Sequence, residues 1–400
     1  MAFASDSPER PTAVPTRRKV LLAACLAHLT HDGFTDMLYV FFPVWQQAFA
    51  LNFAQVGLMK TLFSGALALF QIPAGMLTGG KGLCRALVAG AMITSASLFV
   101  AGTTDTVFAL SVLLVLGGIG ASAQHPLASV AIAQAYSGKE SRVALSTYNF
   151  VGDMGKLLLP ALAGLLLARV SWQASIQMLS MLGVVTAVAL VALLGRLPLD
   201  DRLAAKDSGS GLSRLRAAMT PAFAALNGIG ILDSATRMGL LTFLPFLLRA
   251  KGADMSVLGL SLGLIFAGGC AGKLVCGIVA TRVGSLKSII LTETFTAALI
   301  LFLLPLPLWG ALCLCPLLGV ALNGTSSVLY GSVPELIPPQ HRSQAFAIYY
   351  TATIGSGAVA PVLYGMLSDA VGLTPALQVT GLVILATIPL TLPLRGKLAA

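Results

Sequence analysis

Apolar residues in this chain fall in long runs separated by short polar breaks. A membrane-spanning helix needs about 20 apolar residues. Reading from one charged or turn-rich break to the next predicts six segments in the first half, at 20–48, 54–77, 83–102, 107–135, 142–168 and 173–195. Six more follow at 220–249, 255–280, 286–304, 308–334, 342–368 and 374–394. The breaks carry turn chemistry, as in Gly102-Thr103-Thr104-Asp105 and Pro305-Leu306-Pro307. Strands of a membrane barrel would alternate polar and apolar residues over about 10 positions. These runs are apolar on every face, so the pattern predicts an all-α integral membrane protein.

Composition supports that reading. Of 400 residues, 56% are hydrophobic and 10% are charged, with a mean hydropathy of +0.88. A soluble domain carries about 25% charged residues to cover its surface. A soluble enzyme and a nucleic-acid binder are thereby excluded, and no nucleotide loop, nucleophile elbow or metalloprotease spacing is present.

The net charge of +10 becomes informative once its basic residues are sorted by segment. Arg10, Arg17, Arg18 and Lys19 precede the first segment, Lys81 and Arg85 follow the second, and Lys139 and Arg142 follow the fourth. Arg196, Arg202, Lys206, Arg214 and Arg216 lie between the halves; Arg282, Lys287, Arg342, Arg395 and Lys397 complete this face. Only Arg169, Arg249 and Lys251 fall on the opposite face. The asymmetry predicts both termini in the cytoplasm and a multi-pass protein of a cell inner membrane. Arg17-Arg18-Lys19 ahead of Cys25 imitates a processing signal, but its apolar stretch, Val20 to Ala24, is shorter than the usual 7–15 residues or so. The six cysteines form no CxxC pair and are expected to be small apolar filler.

The chain also repeats itself. Asp32, Thr35 and Met37 match Asp233, Thr236 and Met238 at an offset of 201, and Val56-Gly57-Leu58 matches Leu258-Gly259-Leu260 at 202. Gly75 and Gly82 match Gly277 and Gly284 at 202, Arg142 and Gly155 match Arg342 and Gly355 at 200, and Gly164 matches Gly365 at 201. A steady offset predicts two six-helix halves in parallel orientation, residues 1–199 and 218–400. The polar stretch 200–217, with Ser208-Gly209-Ser210-Gly211, joins them as a cytoplasmic loop.

Gly75, Lys81, Gly82 and Arg85, and again Gly277, Arg282, Gly284 and Lys287, resemble the loop signature between helices 2 and 3 and helices 8 and 9 of the major facilitator superfamily. The signature's aspartate is replaced by Gly79 and Thr281. Gly120 with His125-Pro126, Gly239 with Thr242 and Pro245, and His28 with His31-Asp32 look like the superfamily's fosmidomycin-resistance branch. The resemblance implies a secondary transporter of twelve helices in two pseudo-symmetric six-helix bundles. It also implies that helices 3, 6, 9 and 12 are outer supports, with the other eight lining a central cavity.

Charges inside the segments point to the same division. A lone charge at the bilayer centre costs about 2.5–3.5 kcal/mol on insertion scales, so such residues face a cavity or a partner. Segment 1 holds His28, His31, Asp32 and Asp36, segment 2 Lys60, segment 4 His125, and segment 5 Asp153 and Lys156. Segment 7 holds Asp233 and Arg237, and segment 8 Lys273; segments 3, 6 and 12 hold none, and segment 9 only Glu293. At about 1.5 Å per residue, Asp32, Asp153 and Asp233 lie roughly 17–20 Å into their segments, near the midplane. His28, Asp32 and Asp36 share one helix face, while Asp153–Lys156 and Asp233–Arg237 are spaced to pair within their own helices. The four aspartates balance Lys60, Lys156, Arg237 and Lys273.

This balance suggests coupling. A proton on one aspartate leaves the cavity one charge positive, which favours an anionic or polar acidic substrate. Asp32 is the first candidate for the proton, with Asp36, His31 and His125 sharing it. Asp153, Lys156, Asp233, Arg237, Lys60 and Lys273 are the candidates for substrate binding, Arg237 bidentately to a carboxylate or phosphonate. The structural alternatives are locked pairs for Asp153–Lys156 and Asp233–Arg237, a proline-freed carbonyl as the partner of His125, and snorkelling to an interface for Glu293, Lys60 and Lys273.

Gly152, Gly155, Pro160 and Gly164, and Gly355, Gly357, Pro361 and Gly365, allow close approach and bending. They resemble the glycine-proline motif of helix 5 in proton antiporters. The function expected is therefore proton-coupled secondary transport of a small polar or anionic organic compound, with export favoured. The alternatives are a divalent-metal carrier using His28, His31, Asp32 and His125, and a non-transporting membrane sensor of the same fold. Expected partners are the lipid bilayer, a small-molecule substrate and protons, with no nucleic acid. The chain is expected to act as a monomer without a cofactor or resident metal.

Overall fold

The computed structural model describes residues 14–76, 80–195, 220–338 and 341–398, and every regular element among them is helical. Arg10, Gly79, Arg196, the stretch 200–217 and the side chain of Lys81 lie outside the described residues. The helices are α1 (Val14–Ala48), α2 (Phe53–Met76), α3 (Gly80–Ala101), α4 (Val107–Ala121), α5 (Gln124–Ala135), α6 (Gly138–Leu167) and α7 (Trp172–Leu194). They continue as α8 (Pro221–Ala250), α9 (Met255–Val283), α10 (Ser285–Leu303), α11 (Leu308–Leu336), α12 (Arg342–Val371) and α13 (Leu373–Val383).

Eleven helical stretches among the described residues are long and apolar enough to cross a membrane. The exception is α1. Its 35 residues reach about 50 Å, more than a bilayer core of about 30 Å. Its low apolarity comes from the polar residues His28, His31, Asp32 and Asp36.

Two expected helices are interrupted, in each case beside proline. The fourth segment breaks at Ser122–Ala123 into α4 and α5. Pro126 lacks an N–H and its ring crowds the carbonyl four residues back, so the helix can restart there but not run through. The last segment passes from α13 into 3-10 turns around a short helix, Thr387–Leu390, where Pro389 and Pro393 fall. Elsewhere a single residue turns the chain. Gly284 connects α9 to α10 at φ +89°, a left-handed conformation that a Cβ would strain.

Four glycines set the closest crossings between the first and second parts of the chain. A Cβ on Gly57 would collide with the carbonyl of Pro361, and one on Gly365 with that of Phe53, which locks α2 to α12. Gly259 meets the carbonyl of Pro160, and Gly164 that of Met255, which locks α9 to α6 in the same manner. The glycines of one crossing are the repeat partners of those in the other.

Both crossings tighten toward the same end of the bundle, where α1 and α8 finish and α2 and α9 begin. The largest apolar core lies there, including Met37 to Phe42, Trp45, Phe63, Phe243 and Leu244, and it draws on both parts of the chain. Toward the opposite end the cores separate. One, around Phe223, Leu329 and Tyr349, belongs to α8–α12 and the segment after them. The others, around Leu83, Leu127 and Tyr148, belong to α1–α7. A cavity occupies the space between them.

Candidate transport site

The site begins where α1 and α6 touch. Gly152 lies under the ring of His28, where a Cβ would strike the imidazole, and Gly155 lies on the carbonyl of Leu29. This approach puts Asp32 among side chains from three helices. Its Oδ2 is 3.1 Å from His28 Nε2 and 3.3 Å from Lys156 Nζ. Its Oδ1 is 2.9 Å from His31 Nδ1 and 3.5 Å from His125 Nε2, the latter carried by α5 at the break before Pro126. The carboxylate is buried. The His125 ring packs edge-on against His28 and His31, with centroids 4.9 and 4.5 Å away.

The contacts of His28 fix which of its ring nitrogens carries hydrogen. Its Nδ1 is 2.9 Å from the carbonyl oxygen of Tyr148, which can only accept. Nδ1 must therefore carry hydrogen, so in a neutral ring Nε2 presents a lone pair. That lone pair would face an ionised carboxylate oxygen at 3.1 Å. The contact is a hydrogen bond only when one more proton is present, on Nε2 or on Asp32.

From Asp32 a chain of ion pairs runs across the molecule. Lys156 Nζ also approaches Asp153 Oδ1 at 3.6 Å, and the other oxygen of Asp153 binds Lys273 of α9 at 2.5 Å. Asp233 and Arg237 form a looser pair on α8 at 3.9 Å. Asp36 is buried and joins no ion pair among the described residues.

Lys60 departs from the snorkelling alternative. It is 1% exposed, donates to the carbonyl oxygen of Thr35 at 3.3 Å, and lies 4.3 Å from the centre of the Tyr39 ring. The aromatic face supplies part of the stabilisation that an interface would otherwise give. Glu293 does not snorkel either. It is fully buried, and neither of its carboxyl oxygens has a hydrogen-bond partner. Helix α10 is held against α11 at its start, where Ser285 donates to Glu335 at 2.9 Å.

The cavity has a volume of about 620 Å³, within the range of about 300–1,000 Å³ usual for small-ligand sites. His31, Asp32, Asp36, Lys60, His125, Lys156, Asp233, Arg237 and Lys273 all line it, with Asp153 behind, holding Lys156 and Lys273. Sequence reasoning missed its uncharged lining: Asn149, Asn323, Ser326, Ser327, Tyr330 and Tyr350. Counting ionisable groups could not find them. The polar run Asn323-Gly324-Thr325-Ser326-Ser327 inside an apolar segment was the available signal.

The sequence model described as the Major Facilitator Superfamily matches residues 24–232 and again 226–398. The chain belongs to this superfamily. The fosmidomycin resistance protein of Escherichia coli (strain K12) is 29% identical over 157 residues, 39% of this chain and 38% of that protein. The chain thus spans well under half the length of this relative. An MFS-type efflux pump of Mycolicibacterium smegmatis is 26% identical over 72% of this chain and 70% of its own length. Among solved structures, the nucleoside transporter NupG aligns with a TM-score of 0.74 at 12% identity, covering 94% of this chain and 99% of that one. A bacterial homolog of the human lysosomal transporter Spinster, inward-facing and occupied, aligns at 0.73 with 19% identity, covering 94% and 95%.

The superfamily is one of multi-pass membrane transporters. The loop-signature residues stand apart from the cavity. Gly75 sits 3.5 Å from the Pro126 side chain, measured from an ideal Cβ, while a Cβ on Gly277 would meet open space. Gly82, Arg85 and Arg282 are exposed, and Gly284 makes the α9–α10 turn.

Proposed function

We propose that the protein is a proton-coupled secondary transporter of a small anionic organic compound in a bacterial inner membrane. In this reading α1 is the twelfth span, both termini are cytoplasmic, and residues 1–199 and 218–400 are two halves that rock about a central site. The matching glycine crossings and the twofold family match support the halves. Because α1 and α8 end on the face poor in basic residues, the tightly packed end is the outer one and the cavity faces the cytoplasm.

The observation that carries the proposal is the 3.1 Å His28–Asp32 contact, which becomes a hydrogen bond on gaining one proton more than a neutral imidazole and a carboxylate own. While that proton is present, the charge of Asp32 is shared or cancelled, and Lys156 is free to turn toward a substrate anion. When it leaves, Nε2 repels the carboxylate, the α1–α6 contact must rearrange, and Asp32 reclaims Lys156. Arg237, held only loosely by Asp233, is the second anion ligand.

Two observations bear on direction. The names of relatives, a resistance protein and an efflux pump, support export. Sharing of Lys156 between Asp32 and substrate favours a proton and an anion bound together, hence moving the same way. A metal carrier has geometric support too, since donor atoms of His28, Asp32 and His125 lie within 4.8 Å of one another. The Lys156 ammonium, 3.3 Å from the same carboxylate, opposes a dication there.

The test is flux of radiolabelled benzylphosphonate and propylphosphonate in proteoliposomes, with and without a pH gradient. Both carry a permanent charge and do not leak as neutral acids. Gradient-dependent flux that is lost in Asp32→Asn and His28→Ala is expected. Anion accumulation on the alkaline side signals joint movement, and accumulation on the acidic side signals exchange and export. Flux that ignores the gradient refutes proton coupling. Absence of flux favours the sensor reading, and Zn²⁺ uptake abolished by His125→Ala favours the metal reading.

A further inference from the structure

The cavity has a second kind of wall. Tyr330 of α11 and Tyr350 of α12 are 39% and 45% exposed, and both line it. Their rings pack with centroids 5.1 Å apart, and Tyr330 packs on Phe346 at 4.7 Å. Two large aromatic side chains, braced by a third, thus turn toward the space where a substrate would sit. Tyr349, beside them, is buried against Gly230. The platform belongs to the second part of the chain, opposite His31, His125 and Lys156.

Its distance from the cationic groups follows from helix register. Gly230 of α8 meets Tyr349, and Ser234 donates to the carbonyl of Thr353 at 2.7 Å, so α8 and α12 are aligned residue by residue. Arg237 lies seven residues beyond the Gly230 level, about 10 Å along the axis at a rise of about 1.5 Å per residue. The extended Arg237 side chain closes part of that gap. A ligand that touches both carries a ring and an acid joined by a short spacer, with the ring nearer the wide end.

We propose that the substrate is an aromatic anion, a carboxylate or phosphonate bearing a planar ring, with Tyr330 and Tyr350 as its stacking platform. This rests on the transport reading of the same cavity and adds the class of compound. Isolated aliphatic acids of equal charge lose the stacking contact. An aromatic pair contributes beyond its buried area by an amount equivalent to about a threefold to tenfold difference in affinity.

The experiment is calorimetric titration of the full chain in detergent at pH 7 with benzylphosphonate and cyclohexylmethylphosphonate, matched in charge and close in size. Threefold to tenfold tighter binding of the aromatic member is expected. The preference disappears in Tyr330→Leu/Tyr350→Leu and survives in Tyr330→Phe/Tyr350→Phe, which keeps the rings. Equal affinities, no binding of either compound, or a preference that persists in the leucine variant overturns the proposal. Binding at fixed pH needs no coupling. A ring preference with gradient-insensitive flux would therefore defeat the proton reading alone, and gradient-driven flux without ring preference would defeat this one alone.

Discussion

Asp369 is the residue whose removal tests the closed end most directly. It lies near the end of α12, yet its two carboxylate oxygens accept the backbone N–H groups of Phe53 and Ala54, at 2.8 and 2.9 Å, in the first turn of α2. The next donor is satisfied locally. Asn52 Oδ1 accepts from Gln55 N at 2.8 Å, and Gln55 Oε1 accepts from Asn52 N at 3.0 Å, a reciprocal capping box. Helix α2 therefore borrows half its cap from the other part of the chain, and borrows it only while the two parts are together. The equivalent crossing, α6 with α9, has no such latch, since Asp254 caps α9 from its own chain segment.

The magnitude follows from the geometry. Asp369 is exposed, so values for solvated caps apply. A lost cap costs about 1 kcal/mol, and a negative charge at a helix N-terminus adds about 0.5 kcal/mol. Together, about 1.5 kcal/mol is removed from the closed arrangement only, because the separated helix end is hydrated. That is roughly a tenfold rise in the ratio of open to closed. The assay is the distance distribution between spin labels at Ala48→Cys and Ala250→Cys, in a background without the native cysteines and in nanodiscs. Asp369→Ala is expected to enlarge the long-distance population about tenfold relative to the short, with Asp369→Asn between. An unchanged distribution, or a shift toward shorter distances, refutes the latch.

Three further outcomes follow from contacts already described. Gly155→Ala places a Cβ on the carbonyl of Leu29 and is expected to lower stability by about 1–3 kcal/mol despite alanine's better helix propensity; a higher melting temperature in detergent would show that α1 and α6 are not in close contact. Glu293→Leu removes a buried carboxyl whose oxygens have no partner and is expected to stabilise by about 1–3 kcal/mol; a lower melting temperature would reveal a compensating contact. Lys156→Met leaves Asp32 without its ammonium partner and removes the proposed anion ligand. Benzylphosphonate binding should weaken at least tenfold, and unchanged affinity would transfer the ligand role to Arg237.

The parts legible in the sequence were those encoded by unusual residues in an apolar background. Asp32, Lys156, Arg237 and Lys273 stand out in such segments, and the structure brings all four to one cavity wall or another. Repeated glycines were visible as an offset near 201, though not the fact that Gly57 and Gly259 each rest on the carbonyl of a proline in the other part of the chain. Pairing was legible only where it is local. Asp153–Lys156 follows from i, i+3 spacing, but Asp153–Lys273 spans 120 positions and depends on how α6 crosses α9. The orientation of His28 was beyond reach for the same reason. It requires the Tyr148 carbonyl from α6 to face Nδ1, and that follows from Gly152 having no side chain beneath the ring. The tyrosine platform was hidden differently. Aromatic residues are ordinary filler in a membrane segment, and only the separation of the two cores at the wide end leaves Tyr330 and Tyr350 uncovered. Charge in an apolar run announces itself one residue at a time. A binding surface made of uncharged rings exists only once the helices that carry them have left a gap, so it is a property of packing and not of any single position.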